Sequence, residues 1–199
     1  MARQALNSPA GPRVHLVNPR YTEVLDQPCV PSLADIEEPV DLVMLGVPDP
    51  TLPEQLQRAA DHGAGAAVVF GTAHGLGPEL ASIARSAGMH LCGGGSMGFV
   101  NPARGIRALG YIERERLAPG GVAIVTHSGS SFSSMLRTHR ALDFSVVVSA
   151  GQELVTSMSQ YLDYALSLDE TRVVGLFAET LRDADGMRRA LARAVESDI

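Results

Sequence analysis

Short apolar runs alternate with helical patterns along nearly the whole chain, and this alternation constrains the fold more than any other feature. "RVHLVNP" (13–19), "VDLVMLGVP" (40–48), "AAVVFG" (66–71) and "HLCGG" (90–94) read as strands. "TLPEQLQRAADHG" (51–63) and "GPELASIARSAG" (77–88) read as the helices between them. Runs with no polar alternation fit strands buried on both faces. Thr51 stands at a helix start with Glu54 three residues on, the spacing of a capping box, and glycines close both helices.

Residues 113–120, "ERERLAPG", are charged and then carry Pro and Gly, which suits a linker. The pattern then restarts. "GVAIVT" (121–126), "SVVVSA" (145–150) and "RVVGLFAE" (172–179) are strands; residues 130–143, 153–169 and 183–197 are helices. Alternating strand and helix predicts a parallel sheet covered by helices on both faces, built twice. The expected class is therefore α/β, with one unit over 1–112 and a second over 120–199.

Composition narrows the chemistry. All 16 basic residues are Arg, so a P-loop lysine and a Schiff-base lysine are both excluded. A net charge of −6 without a basic cluster argues against nucleic acid. Aromatics are only 5% and Trp is absent, so the core must come from Val, Leu, Ala and Ile. Cys29 and Cys92 are isolated, which fits reduced thiols in a cytoplasmic protein rather than a disulfide framework or a metal motif. The start, "MARQALNSPAGPR", has no apolar core of a signal peptide, and no run reaches membrane-span length. None of His15, His62, His74, His90, His127 and His139 pairs at a zinc-helix spacing, so no metal site is expected.

Ligands of such sheets bind at the carboxyl ends of the strands. Those ends gather Asn18 to Arg20, Val47 to Asp49, Phe70 to Thr72, Gly93 to Ser96, Thr126 to Ser130, Gly151 and Glu179. "THSGSS" (126–131) follows a strand and opens a helix, where free N–H groups suit an anion; an ordinary serine cap is the plainer reading. It lacks the second glycine of a nucleophile elbow. His127 lies within that loop. Glu179 faces the same edge, either orienting an imidazole or favouring the next helix start. Tyr161 and Tyr164, three apart, read as packing residues with polar tips. "CGGGSMGFVNP" (92–102) places three glycines in a row, so something approaches this backbone closely.

The segments "VHLVNPRY", "PCVPSLADI", "VDLVMLGVP", "GMHLCGGGSMGFVNP", "GGVAIVTHSGS", "SAGQE" and "DYALSLDETRVVGLFAE" occur in an order that resembles the NDP-forming acyl-CoA synthetases. That family includes ADP-forming acetyl-CoA synthetase and the α subunit of succinyl-CoA synthetase. The resemblance implies a Rossmann-like CoA-binding domain followed by a flavodoxin-like ligase domain. It also implies the reaction acyl-CoA + NDP + phosphate ⇌ acid + CoA + NTP, through an acyl phosphate and a phosphohistidine.

Residue by residue, the resemblance puts CoA against Arg20, Val47, Pro48, Phe70, Gly71, Thr72, Gly94, Gly95 and Ser96. It puts phosphate at His127, Ser128, Gly129 and Ser130, and it makes Glu179 the carboxylate that orients the catalytic histidine. His127 stands where the family usually has Gln or Arg. Gly93 to Ser96 stand where it usually has Gly-Pro-Asn-Cys. The first CoA loop is expected before residue 1 and the phosphohistidine beyond residue 199. CoA is thus the expected substrate. Mg-nucleotide would enter only through an ATP-grasp domain or β subunit, and a homo-oligomer is a further expected partner. A non-catalytic CoA- or nucleotide-binding regulatory module is the alternative. An unrelated Rossmann oxidoreductase fits poorly, because no G-x-G-x-x-G opens a helix.

Overall fold

The continuous apolar runs become parallel strands. The computed structural model describes residues 1–113, 117–138, 140 and 142–199. A short helix α1 (Ala2–Leu6) leads into a small sheet of β1 (Leu16–Val17), β2 (Glu23–Val24) and β3 (Gln27–Val30), in the order β1-β3-β2. A three-stranded parallel sheet follows, made of β4 (Leu42–Leu45), β5 (Ala66–Val69) and β6 (His90–Cys92), with α2 (Leu52–Asp61) and α3 (Gly77–Ser86) between its strands.

Next come β7 (Gly98–Asn101) and β8 (Ile106–Leu109), then β9 (Pro119–Thr126), α4 (Gly129–Leu136), β10 (Phe144–Ser149), α5 (Met158–Leu166), β11 (Val173–Phe177) and α6 (Ala184–Glu196). These strands form a five-stranded sheet in the order β11-β9-β10-β7-β8. β9, β10 and β11 are parallel, and the β7–β8 hairpin joins antiparallel to β10. The second sheet is therefore mixed, where alternation alone predicts a purely parallel one. All six residues of β10, its central strand, are buried, Ser145 and Ser149 among them.

The two larger sheets share one core. Leu45, Leu52, Leu56, Ala59, Val69, Leu80 and Leu91 close one face of the β4–β6 sheet beneath α2 and α3. Its other face contributes Val68 and Cys92 to a cluster with Val125, Val146, Val148, Met158 and Leu162. α2 and α3 thus lie on one face of this sheet, and instead of the helices expected on the other face, α5 with the second sheet covers it. A third cluster seats Phe132 and Leu136 of α4 on Ile124 and Val147.

Two local expectations change. Thr51 does not cap α2, because its hydroxyl donates to the Pro48 carbonyl oxygen at 2.9 Å. The helix expected over 153–169 starts at Met158, where Ser157 and Gln160 form the capping box. The expected helix over 130–143 is described as far as Leu136; His139 lies outside the described residues, as do residues 114–116 of the expected linker.

Candidate active site

The order β11-β9-β10 places β9 between its two successors, so the chain reverses direction across the sheet at the β9–β11 crevice. Such switch points, at the carboxyl ends of strands, are where open α/β sheets bind ligands. An open cleft of about 230 Å³ lies there. It is lined by Gly94 and Gly95 after β6, His127 after β9, Gly151 and Gln152 after β10, and Glu179, Thr180 and Arg182 after β11. Four strand ends from two sheets thus meet at one place.

His127 is the best-held side chain in the cleft. Its imidazole and the Glu153 carboxylate are 5% and 1% exposed, and Nε2 meets Glu153 Oε1. The Glu179 backbone N–H donates to Nδ1 at 3.0 Å. A backbone N–H can only donate, so Nδ1 is the unprotonated nitrogen and Nε2 carries the proton. Glu153 Oε2 accepts from the Met158 N–H at 2.7 Å, at the first turn of α5, where a carboxylate is favoured by the dipole.

The glycine loop is built against protein. The Gly95 N–H donates to the Gly71 carbonyl at 2.6 Å, and the Gln152 and Leu154 N–H groups donate to the Gly94 and Gly93 carbonyls at 2.9 and 3.1 Å. A Cβ on Gly94 would stand 2.8 Å from the Ala73 Cβ, and one on Gly151, which has φ +62°, would overlap the Gly94 carbonyl oxygen. Close approach between the two strand-end loops therefore already accounts for Gly94 and Gly151. Ser96 is buried: its hydroxyl donates to the Ser149 carbonyl at 2.6 Å and accepts from the Gly98 N–H at 2.8 Å. Cys92 lies beside it, 3.5 Å from Ser96 Oγ, and burial pushes its thiol up.

The remaining expected residues fall into three places. Val47, Pro48, Phe70, Gly71 and Thr72 lie at the ends of β4 and β5, joined to the cleft by the Gly71 contact and by Gln152 Nε2 donating to the Thr72 carbonyl at 2.5 Å. Ser128 caps α4 by accepting from the Ser131 N–H at 3.2 Å, with Gly129 and Ser130 in the first turn behind it. Arg20 is exposed on the loop after β1 and does not line the cleft.

Glu153 and Arg182 were not among the expected site residues, and Asp49 was expected only as part of the β4 strand end. Glu153 was hidden inside an apparent helix, although Ser157 and Gln160 carry the S-x-x-Q signal that starts the real one later. Arg182 is one exposed Arg among many and has no motif. Asp49 accepts from the Thr72 hydroxyl at 2.6 Å, and that bond, ahead of amide contacts from Ala73 and His74, holds its carboxyl below the usual carboxylate range. Among the described residues, no group of three or more His, Cys, Asp or Glu is placed to hold a metal ion, and no helix is long and apolar enough to cross a membrane.

Residues 1–102 match the family model described as a CoA binding domain, and residues 119–198 match that of a succinyl-CoA ligase like flavodoxin domain. The chain belongs to the NDP-forming acyl-CoA synthetase family. It is 30% identical over 182 residues to acetate–CoA ligase [ADP-forming] I of Archaeoglobus fulgidus, a match covering 85% of this chain and 26% of that protein. It is 26% identical to trans-feruloyl-CoA synthase FCS1, over 91% of this chain and 27% of that one. The chain spans about a quarter of the length of the curated relatives it matches. Its fold is that of Ca. Korarchaeum cryptofilum dinucleotide forming acetyl-coenzyme A synthetase 1, with a TM-score of 0.88 at 22% identity, over 98% of this chain and 44% of that one. The expected Rossmann-like and flavodoxin-like pair is thus the fold class of a family member.

Proposed function

We propose that this chain is the CoA-binding and ligase core of an NDP-forming acyl-CoA synthetase, with residues 1–112 receiving CoA and 120–199 carrying the ligase site. The observation that carries this reading is the cleft: strand ends from both family-matched segments line it together. In this reading CoA lies along Val47, Pro48 and Phe70 to Thr72, with Arg20 near a phosphate. Its thiol end reaches Gly94 and Gly95. The acyl phosphate lies in the cleft near Arg182, the one cation lining it among the described residues. Glu179, whose exposed carboxylate lines the same cleft, orients the incoming phosphohistidine. The nucleotide step belongs to an ATP-grasp domain or β subunit, so the 199 residues alone are not expected to turn over.

A second reading, a non-catalytic CoA- or nucleotide-binding module, is favoured by one observation. Ser96 stands where the family usually has Cys, and its hydroxyl is consumed by Ser149 and Gly98.

One experiment separates the two readings. Thermal melting with CoA, acetyl-CoA, ADP and NAD should give a shift with CoA and none with NAD, since a ligand that binds only the native state raises its stability. Arg20→Ala should weaken the CoA response, because an Arg–phosphate pair is a charge-assisted contact. The chain alone should form no thioester from acid, CoA and ATP, but should do so when a phosphohistidine segment and an ATP-grasp domain are supplied. A CoA shift without thioester formation in the supplemented assay selects the second reading. A shift with NAD and none with CoA rejects the ligase reading and leaves only the nucleotide-binding form of the second.

A further inference from the structure

The cleft contains a histidine, yet neither of its ring nitrogens is available to a ligand. We infer that His127 is a positioning residue: a neutral two-ended bracket that holds the strand-end loops of β9, β10 and β11 in one arrangement. The inference rests on the ligase reading only for what those loops then do. The geometry stands independently of it.

His127 begins the β9–α4 loop, and its own N–H donates to the Phe177 carbonyl at the end of β11, at 3.2 Å. Its Nδ1 accepts from the Glu179 N–H two residues further along that strand end. Its Nε2–H is directed to Glu153, four residues after the end of the buried strand β10. Glu153 is itself fixed from two sides. Its backbone holds a left-handed φ of 52°, and its second oxygen accepts the first free N–H of α5. The imidazole therefore joins a rigid anchor on the β10 side to the backbone that carries Glu179 and Arg182 into the cleft. Both side chains of the pair are almost completely buried, so solvent does not compete for these bonds. A phosphoryl carrier or general base would need one ring nitrogen open to the cleft, and here the protein occupies both.

The bracket needs one acceptor and one donor on a planar group of similar reach. A glutamine amide supplies both: its oxygen can accept from Glu179 and its NH₂ can donate to Glu153. A leucine supplies neither and leaves Glu153 with an unpaired buried oxygen. If His127 acts by position, His127→Gln preserves function. If it acts by imidazole chemistry, His127→Gln fails as badly as His127→Leu.

The test combines readouts that do not share a failure mode. Nitrogen-15 NMR of the ring in the full chain should show Nε2 protonated and Nδ1 not, at neutral pH and without any ligand. Amide exchange at Glu179 should quicken roughly tenfold in His127→Leu and by less than about threefold in His127→Gln, on the scale of one lost hydrogen bond. Binding of inorganic phosphate, followed by calorimetry, should follow the same order, and incubation with acetyl phosphate should leave His127 unphosphorylated. A proton on Nδ1, phosphorylation of His127, or equal loss of Glu179 protection in the two variants would overturn the assignment. If His127→Leu does not fold, the tautomer of the parent and the behaviour of His127→Gln still decide it. If no variant or parent binds phosphate, the ligase reading fails, while the exchange and tautomer results still test the bracket.

Discussion

Gly98→Ala should be among the most damaging single substitutions outside the cleft, lowering stability by about 3–5 kcal/mol. Gly98 opens β7 with φ +94°, and an added Cβ would overlap the Ala108 carbonyl oxygen while standing 2.9 Å from the Ala108 carbonyl carbon. Both opposing atoms are backbone of the paired strand β8, so no rotamer change relieves the overlap. Separating the strands would break the Gly98–Leu109 register and pull Val100 and Leu109 from the core cluster they share with Phe132. Gly63→Ala is the control. Gly63 has φ +83°, but nothing lies within 4 Å of its added Cβ, so it should cost only about 1 kcal/mol of backbone strain. For a chain of this size the larger cost corresponds to a fall in melting temperature of roughly 6–20 °C. Chemical denaturation of both variants measures the difference. Equal losses would mean that backbone conformation alone, and not the β7–β8 approach, makes glycine necessary at 98.

The contrast between those two glycines also explains how much of the fold can be read from the sequence. β4, β5, β9, β10 and β11 are legible because each is a mostly apolar run bounded by turn residues, even though only β10 is buried along its whole length and β11, at the sheet edge, exposes Val173 and Phe177. The β7–β8 hairpin is not. "GFVN" and "IRAL" are four residues long, too short for a period to declare itself, and Gly98 gives no local reason to expect a strand. The hairpin is held by its pairing with β10, a contact made some 50 residues away in the chain. The site divides in the same way. His127, Glu179, Gly94 and Gly95 are legible because they sit at strand ends, and strand ends of a parallel sheet share one edge. Glu153 is obscured because its left-handed backbone interrupts what otherwise looks like one long helical pattern. The role of the imidazole is also invisible in sequence, since it depends on an N–H that Glu179 contributes from its backbone, whatever its side chain.

The arrangement of that edge makes Arg182, rather than the start of α4, the group on which anion binding should depend most. At the start of α4 the Ser128 hydroxyl is already engaged with the Ser131 N–H, and the helix is only eight residues long. Arg182 stands in the β11–α6 loop and lines the cleft beside Glu179, Thr180 and the Gly94–Gly95 backbone. A guanidinium can grip a phosphate through two parallel hydrogen bonds, and a charge-assisted contact of this kind contributes about 1.5–3 kcal/mol. Arg182 is exposed, so solvent and salt screen it and the lower end applies. Arg182→Ala should therefore weaken binding of inorganic phosphate by about tenfold at low ionic strength, with the difference shrinking as salt is added. Arg182→Lys should retain part of the affinity, because an ammonium keeps the charge but loses the planar two-point grip. Arg188→Ala, on the exposed face of α6 where Arg188 pairs with Asp185, should change nothing. Gly129→Val is a poor probe of the α4 alternative, since a Cβ there already stands 2.9 Å from the Met97 side chain. Ser130→Asp is better. Ser130 is exposed in the first turn of α4, where a carboxylate is tolerated by the dipole but would repel a bound anion. If phosphate affinity survives Arg182→Ala intact and disappears in Ser130→Asp, the anion sits on the helix start and the cleft has been assigned to the wrong loop.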